Sequence, residues 1–173
     1  MRPDYALSSG GAQIYYWMTS PTYKEKPATK LARLFNWLVG GPVKIEFHPP
    51  SVALDPDTNV GRCWAMEGQR GSLGIFLAQK IIIDELVIEH TDPSMAFELE
   101  SILQKFELFG LSEMLTSPVK LGEGVFNISS AHIQHFSIQP QIPVVIVIFN
   151  VLSNHGDPDF TCIYKLRIHG QMV

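Results

Sequence analysis

A chain of 173 residues, 46% apolar and only 17% charged, is long enough to bury one sizeable core. That balance excludes a disordered chain and a coiled coil. A net charge of -4 without any basic cluster argues against nucleic-acid binding.

The chain reads as a single domain over residues 1–173. Ser8-Ser-Gly-Gly11 makes a turn before a short strand over 12–17, where aromatic and β-branched residues favour extended backbone. Pro21 and Pro27 break the polar stretch that follows. Leu31, Leu34, Phe35 and Leu38 recur at helical spacing, whereas Trp37 and Val39 fall off that stripe. The segment reads either as a surface helix packed on the core or as a movable flap whose second apolar face awaits a partner. Gly40-Gly-Pro42 ends it, and residues 43–47 alternate like an edge strand.

Between two apolar segments lies the polar turn Asp55-Pro-Asp-Thr-Asn-Val-Gly61, closed by Cys63 and Trp64. Its acids and exposed carbonyls would suit a cation. Short strands are expected over 63–66 and 72–77, and a strong strand over 81–90, where β-branched residues are dense. Residues 94–105 suit a short helix capped by Ser94. A strand over 106–110 follows, then 119–127 and 132–138 as a hairpin or meander pair. Residues 144–152 are nearly all apolar, as in a strand buried on both faces, and 160–169 alternate cleanly as a closing strand. Many short strands with Gly and Pro turns indicate an all-β sandwich of jelly-roll type.

No run of about twenty apolar residues occurs, so nothing here is expected to span a membrane. The first residues lack the apolar core of a signal peptide, so any targeting segment is expected outside this chain. Asp4, Asp55, Asp57, Asp157 and Asp159 could supply carboxylate pairs, yet carboxylates in Pro-flanked turns are solvated or bind backbone amides. Cys63 stands at a strand start, not at a helix N-terminus that would activate a thiol. No GxSxG, phosphate loop or dinucleotide fingerprint occurs. Cys63 and Cys162 admit a disulfide, two buried thiols or part of a metal site, and no CxxC or HExxH supports the last. The sequon Asn127-Ile-Ser129 leans towards an oxidising compartment. From the residues alone the chain reads as a binding module and not as an enzyme.

Four stretches follow one another over nearly the whole chain. They are Asp4-Tyr-Ala-Leu-Ser-Ser-Gly-Gly-Ala12, Gly61-Arg-Cys-Trp-Ala-Met-Glu-Gly68, Leu86-Val-Ile-Glu-His90 and Gly156-Asp-Pro-Asp-Phe-Thr-Cys-Ile-Tyr-Lys-Leu-Arg-Ile-His-Gly170. In that order they resemble the SUN domain, the lumenal module of nuclear-envelope bridging (LINC) complexes. The resemblance implies a compact β-sandwich that assembles as a homotrimer in the perinuclear space. There it would bind the C-terminal peptide of a KASH-type protein of the outer nuclear membrane and carry force between nucleus and cytoskeleton. Its own membrane anchor would lie outside this chain. In physical terms this is strand addition to a sheet edge plus capture of a terminal carboxylate.

Residue by residue, the resemblance makes Cys63 and Cys162 an internal disulfide. It makes 52–62 a cation loop in which Val52, Asp55, Asp57, Arg62 and Tyr164 hold a monovalent ion, potassium, mostly through backbone carbonyls. His90, Ser101 and Tyr164 would line the pocket for the last residues of the peptide and its carboxylate. Residues 22–47 would be a lid, with Leu34, Phe35, Trp37, Leu38 and Val39 clamping the peptide against a neighbouring subunit. In the family the lid is a hairpin, so this run is expected to be helical without partner and extended when bound. Thr19 stands where several members carry a cysteine that bonds to the partner peptide, and no intermolecular disulfide is expected here. The competing reading is a discoidin-like carbohydrate- or lipid-binding jelly roll, with Trp17 and Trp37 as exposed contacts.

Overall fold

The computed structural model describes residues 2–25, 29–40, 47–57, 59, 61–92, 99–114, 116–139 and 141–173. The expected strand at 43–47, save Phe47, and the expected helix at 94–98 lie outside them.

The described strands are β1 (Gln13–Ile14), β2 (Trp64–Glu67), β3 (Gly71–Glu89), β4 (Lys105–Leu111), β5 (Val119–Val125), β6 (Ile133–Ser137), β7 (Pro143–Val151), β8 (Phe160–Ile163) and β9 (Lys165–Met172), with one α-helix, α1 (Lys30–Leu38). The larger sheet runs β1-β3-β7-β4-β5, with β6 and β9 also on β3, while β2 and β8 make a two-stranded sheet. The ladders are antiparallel.

β3 organises the molecule. At 19 residues it is far longer than the usual five or six, so it bends. Register shifts against β7 at Phe76/Ile81 and against β9 at Ile83/Glu85 mark the bend. Its first half carries β1 and β7, and its second half carries β6 and β9. Leu73, Ile75 and Leu77 from one half and Ile81, Ile83, Leu86 and Ile88 from the other converge in one core cluster with Phe106, Phe149, Leu166 and Ile168. This is a β-sandwich, as the short-strand pattern predicts.

Several expected elements are redrawn. The strands at 72–77 and 81–90 are one. The strand at 12–17 shrinks to β1, because Thr19 Oγ1 donates to the Tyr15 carbonyl at 2.8 Å and closes a 3-10 turn over Tyr16–Met18. The expected pairing of 119–127 with 132–138 does not form: β5 pairs with β4, and β6 pairs with β3. Phe126, between them in sequence, is buried in the core. The closing strand divides at Tyr164, so β8 belongs to the small sheet and β9 to the large one. β7 is buried as expected. From 99 to 105 the chain makes a 3-10 turn, Leu99–Ser101, and no longer helix. The α-helix itself forms where the spacing places it, but it is not packed on the core: Leu34, Phe35, Trp37, Leu38 and Val39 are 57% to 76% exposed.

Candidate functional site

The division at Tyr164 builds the site. β8 ends at Ile163 and β9 begins at Lys165, so Tyr164 sits where the chain changes sheets, 5% exposed. Its hydroxyl accepts a hydrogen bond from the Gly61 amide at 3.1 Å. Gly61 takes φ 81°, a left-handed conformation that a side chain would resist. Thus the strand junction holds the far end of the 52–62 loop.

The ring of Tyr164 meets His90 edge-on, centroids 4.4 Å apart at 66°. His90 lies just past the end of β3, where its amide donates to the His132 carbonyl at 2.8 Å, and Phe126 flanks its ring at 6.3 Å. Burial pushes its pKa down to about 4, the Thr91 carbonyl opposes that shift, and the nearby His132 adds to it. The imidazole is therefore neutral at pH 7. Nδ1 lies 3.0 Å from the Thr91 carbonyl, which only accepts, so Nδ1 carries the proton and Nε2 presents a lone pair. Among the described residues Nε2 has no partner. In the free chain it is an acceptor, and it becomes a donor there only by taking up a proton.

Ser101, 2% exposed, ends the Leu99–Ser101 turn, and the next residue, Ile102, bridges Cys162. The structure thus brings His90 and Tyr164 into contact and sets Ser101 beside the disulfide strand. Cys63 and Cys162 are bonded, with Cα atoms 5.6 Å apart. The bridge clips β2 to β8, a two-stranded sheet of marginal stability without support. Both cysteines of the chain are thereby used. Thr19 Oγ1 accepts from the Gly74 amide at 3.0 Å while donating to Tyr15, a structural role.

In the 52–62 loop, Val52 is buried in a 3-10 turn and its carbonyl accepts from the Asp55 amide at 3.2 Å. Asp55 takes Ser8 Oγ on one oxygen at 2.8 Å and Arg62 Nη2 on the other at 3.0 Å. Arg62 Nη1 lies 3.7 Å from Asp57, whose other oxygen accepts from the Asn59 amide at 3.0 Å. Lys165, next to Tyr164 in the chain, is buried; burial, with Arg167 adding to it, holds its amine below the usual lysine value. One protein cation, Arg62, already sits between these carboxylates. The side-chain oxygens of this loop therefore do not fit a further monovalent cation, which needs oxygens without competing positive charge. Sequence reasoning missed Ser8 and Gly61, since their contacts join residues far apart in the chain.

No described helix is long and apolar enough to cross a membrane. The family described as Sad1 / UNC-like C-terminal matches residues 44–172. The chain is 35% identical over 174 residues to sperm-associated antigen 4 protein of Mus musculus, covering 98% of this chain and 38% of that protein. It is similarly 35% identical to SUN domain-containing protein 3 of Bos taurus (96% and 46% covered), and 34% to SUN domain-containing protein 5 of Homo sapiens (99% and 45%). The chain thus spans less than half the length of these curated relatives. Among solved structures, a family 32 carbohydrate-binding module from Streptococcus pneumoniae EndoD aligns with TM-score 0.65 at 14% identity, covering 98% of this chain and all of that one. A putative chitobiase fragment from Bacteroides thetaiotaomicron aligns with TM-score 0.67 at 9% identity, covering 100% and 94%. At such identities these two likenesses concern the fold alone.

Proposed function

The chain belongs to the Sad1 / UNC-like C-terminal family of SUN domains, and from that premise we propose that it is the lumenal peptide-binding module of a nuclear-envelope bridge. Its ligand is the free C-terminus of a KASH-type outer-nuclear-membrane protein. The observation that carries this reading is the His90–Tyr164 contact, a buried polar pair whose Nε2 has no partner among the described residues. A buried polar atom left in this state is costly unless a ligand satisfies it. The lumenal side is supported by the disulfide, which persists in an oxidising compartment. Since both cysteines are used internally, the bridge to the peptide is non-covalent.

The uncovered apolar side chains of α1 support the lid role and a homotrimer, in which a neighbouring subunit and the peptide would cover them. The family supports mechanical linkage as the role.

The test is titration of the chain with a KASH-type C-terminal peptide, free-acid or amidated, against wild type and Tyr164→Phe. We expect binding that weakens with amidation and with the substitution. Equal binding of both peptide forms would remove the pocket from the reading. The carbohydrate-binding alternative is favoured by Trp17, 89% exposed. Titration of the same chain with galactose-containing oligosaccharides tests it, and saturable binding lost in Trp17→Ala would favour it.

A further inference from the structure

We propose that Arg62 supplies, from within the chain, the cation that closes the 52–62 loop, so that the loop folds without a bound monovalent ion. The observation is the position of the guanidinium: Nη2 at 3.0 Å from Asp55 and Nη1 at 3.7 Å from Asp57. It draws together the two acids at the start of the turn. Backbone contacts finish the closure: the Arg62 amide donates to the Asn59 carbonyl at 3.0 Å, and Gly61 donates to Tyr164. The remaining oxygens of Asp55 and Asp57 are held by Ser8 and by the Asn59 amide. Arginine suits this task because its charge is permanent and its fork reaches two acceptors at once. An incoming potassium ion would meet the Arg62 guanidinium between the two carboxylates. The family ion thus gives way to a side chain in this protein, and peptide binding at the neighbouring Tyr164 becomes independent of potassium.

The chain is compared in potassium chloride and in tetramethylammonium chloride at equal ionic strength, reading thermal midpoint, affinity for a KASH-type peptide, and amide exchange over the loop. Wild type should be indifferent to the salt. Arg62→Asn should exchange roughly two- to fivefold faster over the loop without potassium, the scale of a half-exposed ion pair, and potassium should reverse part of that loss. A wild-type midpoint or affinity that moves with potassium overturns the proposal. So does an Arg62→Asn chain whose loop exchanges as in wild type.

A separate site lies on the turn after β5. We infer that Asn127 carries an N-linked glycan, a reading that rests on the lumenal location proposed above. Asn127-Ile-Ser129 is the one such sequon in the sequence. Asn127 and Ser129 are both exposed, on a turn closed by Ser130 N to Asn127 O at 3.1 Å. The Asn127 Oδ1 accepts from the Ser129 amide at 2.9 Å, and Nδ2 makes no hydrogen bond among the described residues. Gln134 braces the turn, with Nε2 at 2.7 Å from the Asn127 carbonyl and 2.9 Å from that of Ala131. In the modification, Nδ2 bonds to the anomeric carbon of a lipid-pyrophosphate-linked oligosaccharide and gives up one proton, while the lipid pyrophosphate leaves with the electron pair of the broken C–O bond. The glycan leaves the surface one residue along the chain from Phe126, which flanks His90.

The full-length protein from its own cells is treated with peptide N-glycosidase, and the Cys63–Cys162 bond is mapped in the same sample. We expect a mobility shift, with aspartate left at position 127, that is absent from Asn127→Gln and Ser129→Ala and kept in Ser129→Thr. No shift with the disulfide formed overturns the glycan and leaves the lumenal location standing. No shift with both thiols reduced overturns the location and the glycan with it.

Discussion

His90 shows how one buried imidazole couples pH to both stability and binding. Its folded pKa of about 4 lies below the ordinary value of 6.5, so between these limits the unfolded chain binds more protons. Stability tied to the neutral ring is complete above pH 6.5 and is lost as pH falls towards 4. Denaturant unfolding at several pH values should therefore show wild type losing on the order of 3 kcal/mol more than His90→Gln across that window; parallel profiles would show that His90 is not the group responsible. A carboxylate docked at Nε2 would favour the protonated ring. Affinity for the free-acid peptide should accordingly rise from pH 7 to pH 5.5, while the amidated peptide stays level in calorimetric titrations. At Tyr164, removal of the hydroxyl strands the Gly61 amide. Tyr164→Phe should cost about 1 kcal/mol in chemical unfolding and loosen the 52–62 loop in amide exchange.

Helix α1 is an element whose sequence and setting conflict. Nine residues are too few for a stable isolated helix in water, and its described apolar side chains, Leu31, Leu34, Phe35, Trp37 and Leu38, are mostly exposed. We expect fast amide exchange over 30–38 in the free chain and strong protection once a KASH-type peptide is bound; equal protection in both states would sink the lid role. Phe35→Asp should leave the thermal midpoint unchanged, since Phe35 is exposed, while abolishing peptide binding. The small β2–β8 sheet makes the opposite case. Two strands alone are marginal, and the disulfide closes a loop with a sequence separation of 99 across them. In the chain-entropy model such a closure is worth up to about 4.7 kcal/mol. Cys63→Ser should therefore weaken peptide binding and disorder the loop without unfolding the larger sheet, as read by exchange over β3 and β7.

In the molecule as a whole, β3 ties the two layers together, and its far end delivers His90 to the junction at Tyr164. The large sheet ends at β5, an exposed edge where Lys120 pairs with Glu107 and Glu123 and discourages further strand addition. A run of uncovered apolar side chains lies on α1 instead, and that is where assembly should occur. Light scattering should report a trimer in the presence of peptide and a monomer for Leu34→Asp; a trimer in both would move the interface away from α1.

The sequence by itself determined the fold class, because alternation, β-branched density and turn residues are local signals that survive tertiary context. The i, i+3, i+4, i+7 spacing likewise marks α1 as helical, though not that it stands off the core, and the resemblance implies the Cys63–Cys162 bond. Only the tertiary structure decided the rest. That 72–77 and 81–90 are one bent strand, and that β5 and β6 part company, depends on partners distant in the chain, and no short window of sequence contains them. The same is true of the site. The resemblance presents Arg62 as one of the residues of a cation loop. The fold places its guanidinium between Asp55 and Asp57 and turns Tyr164 to hold Gly61 and meet His90, because charge pairing and ring contact act through space and not along the chain.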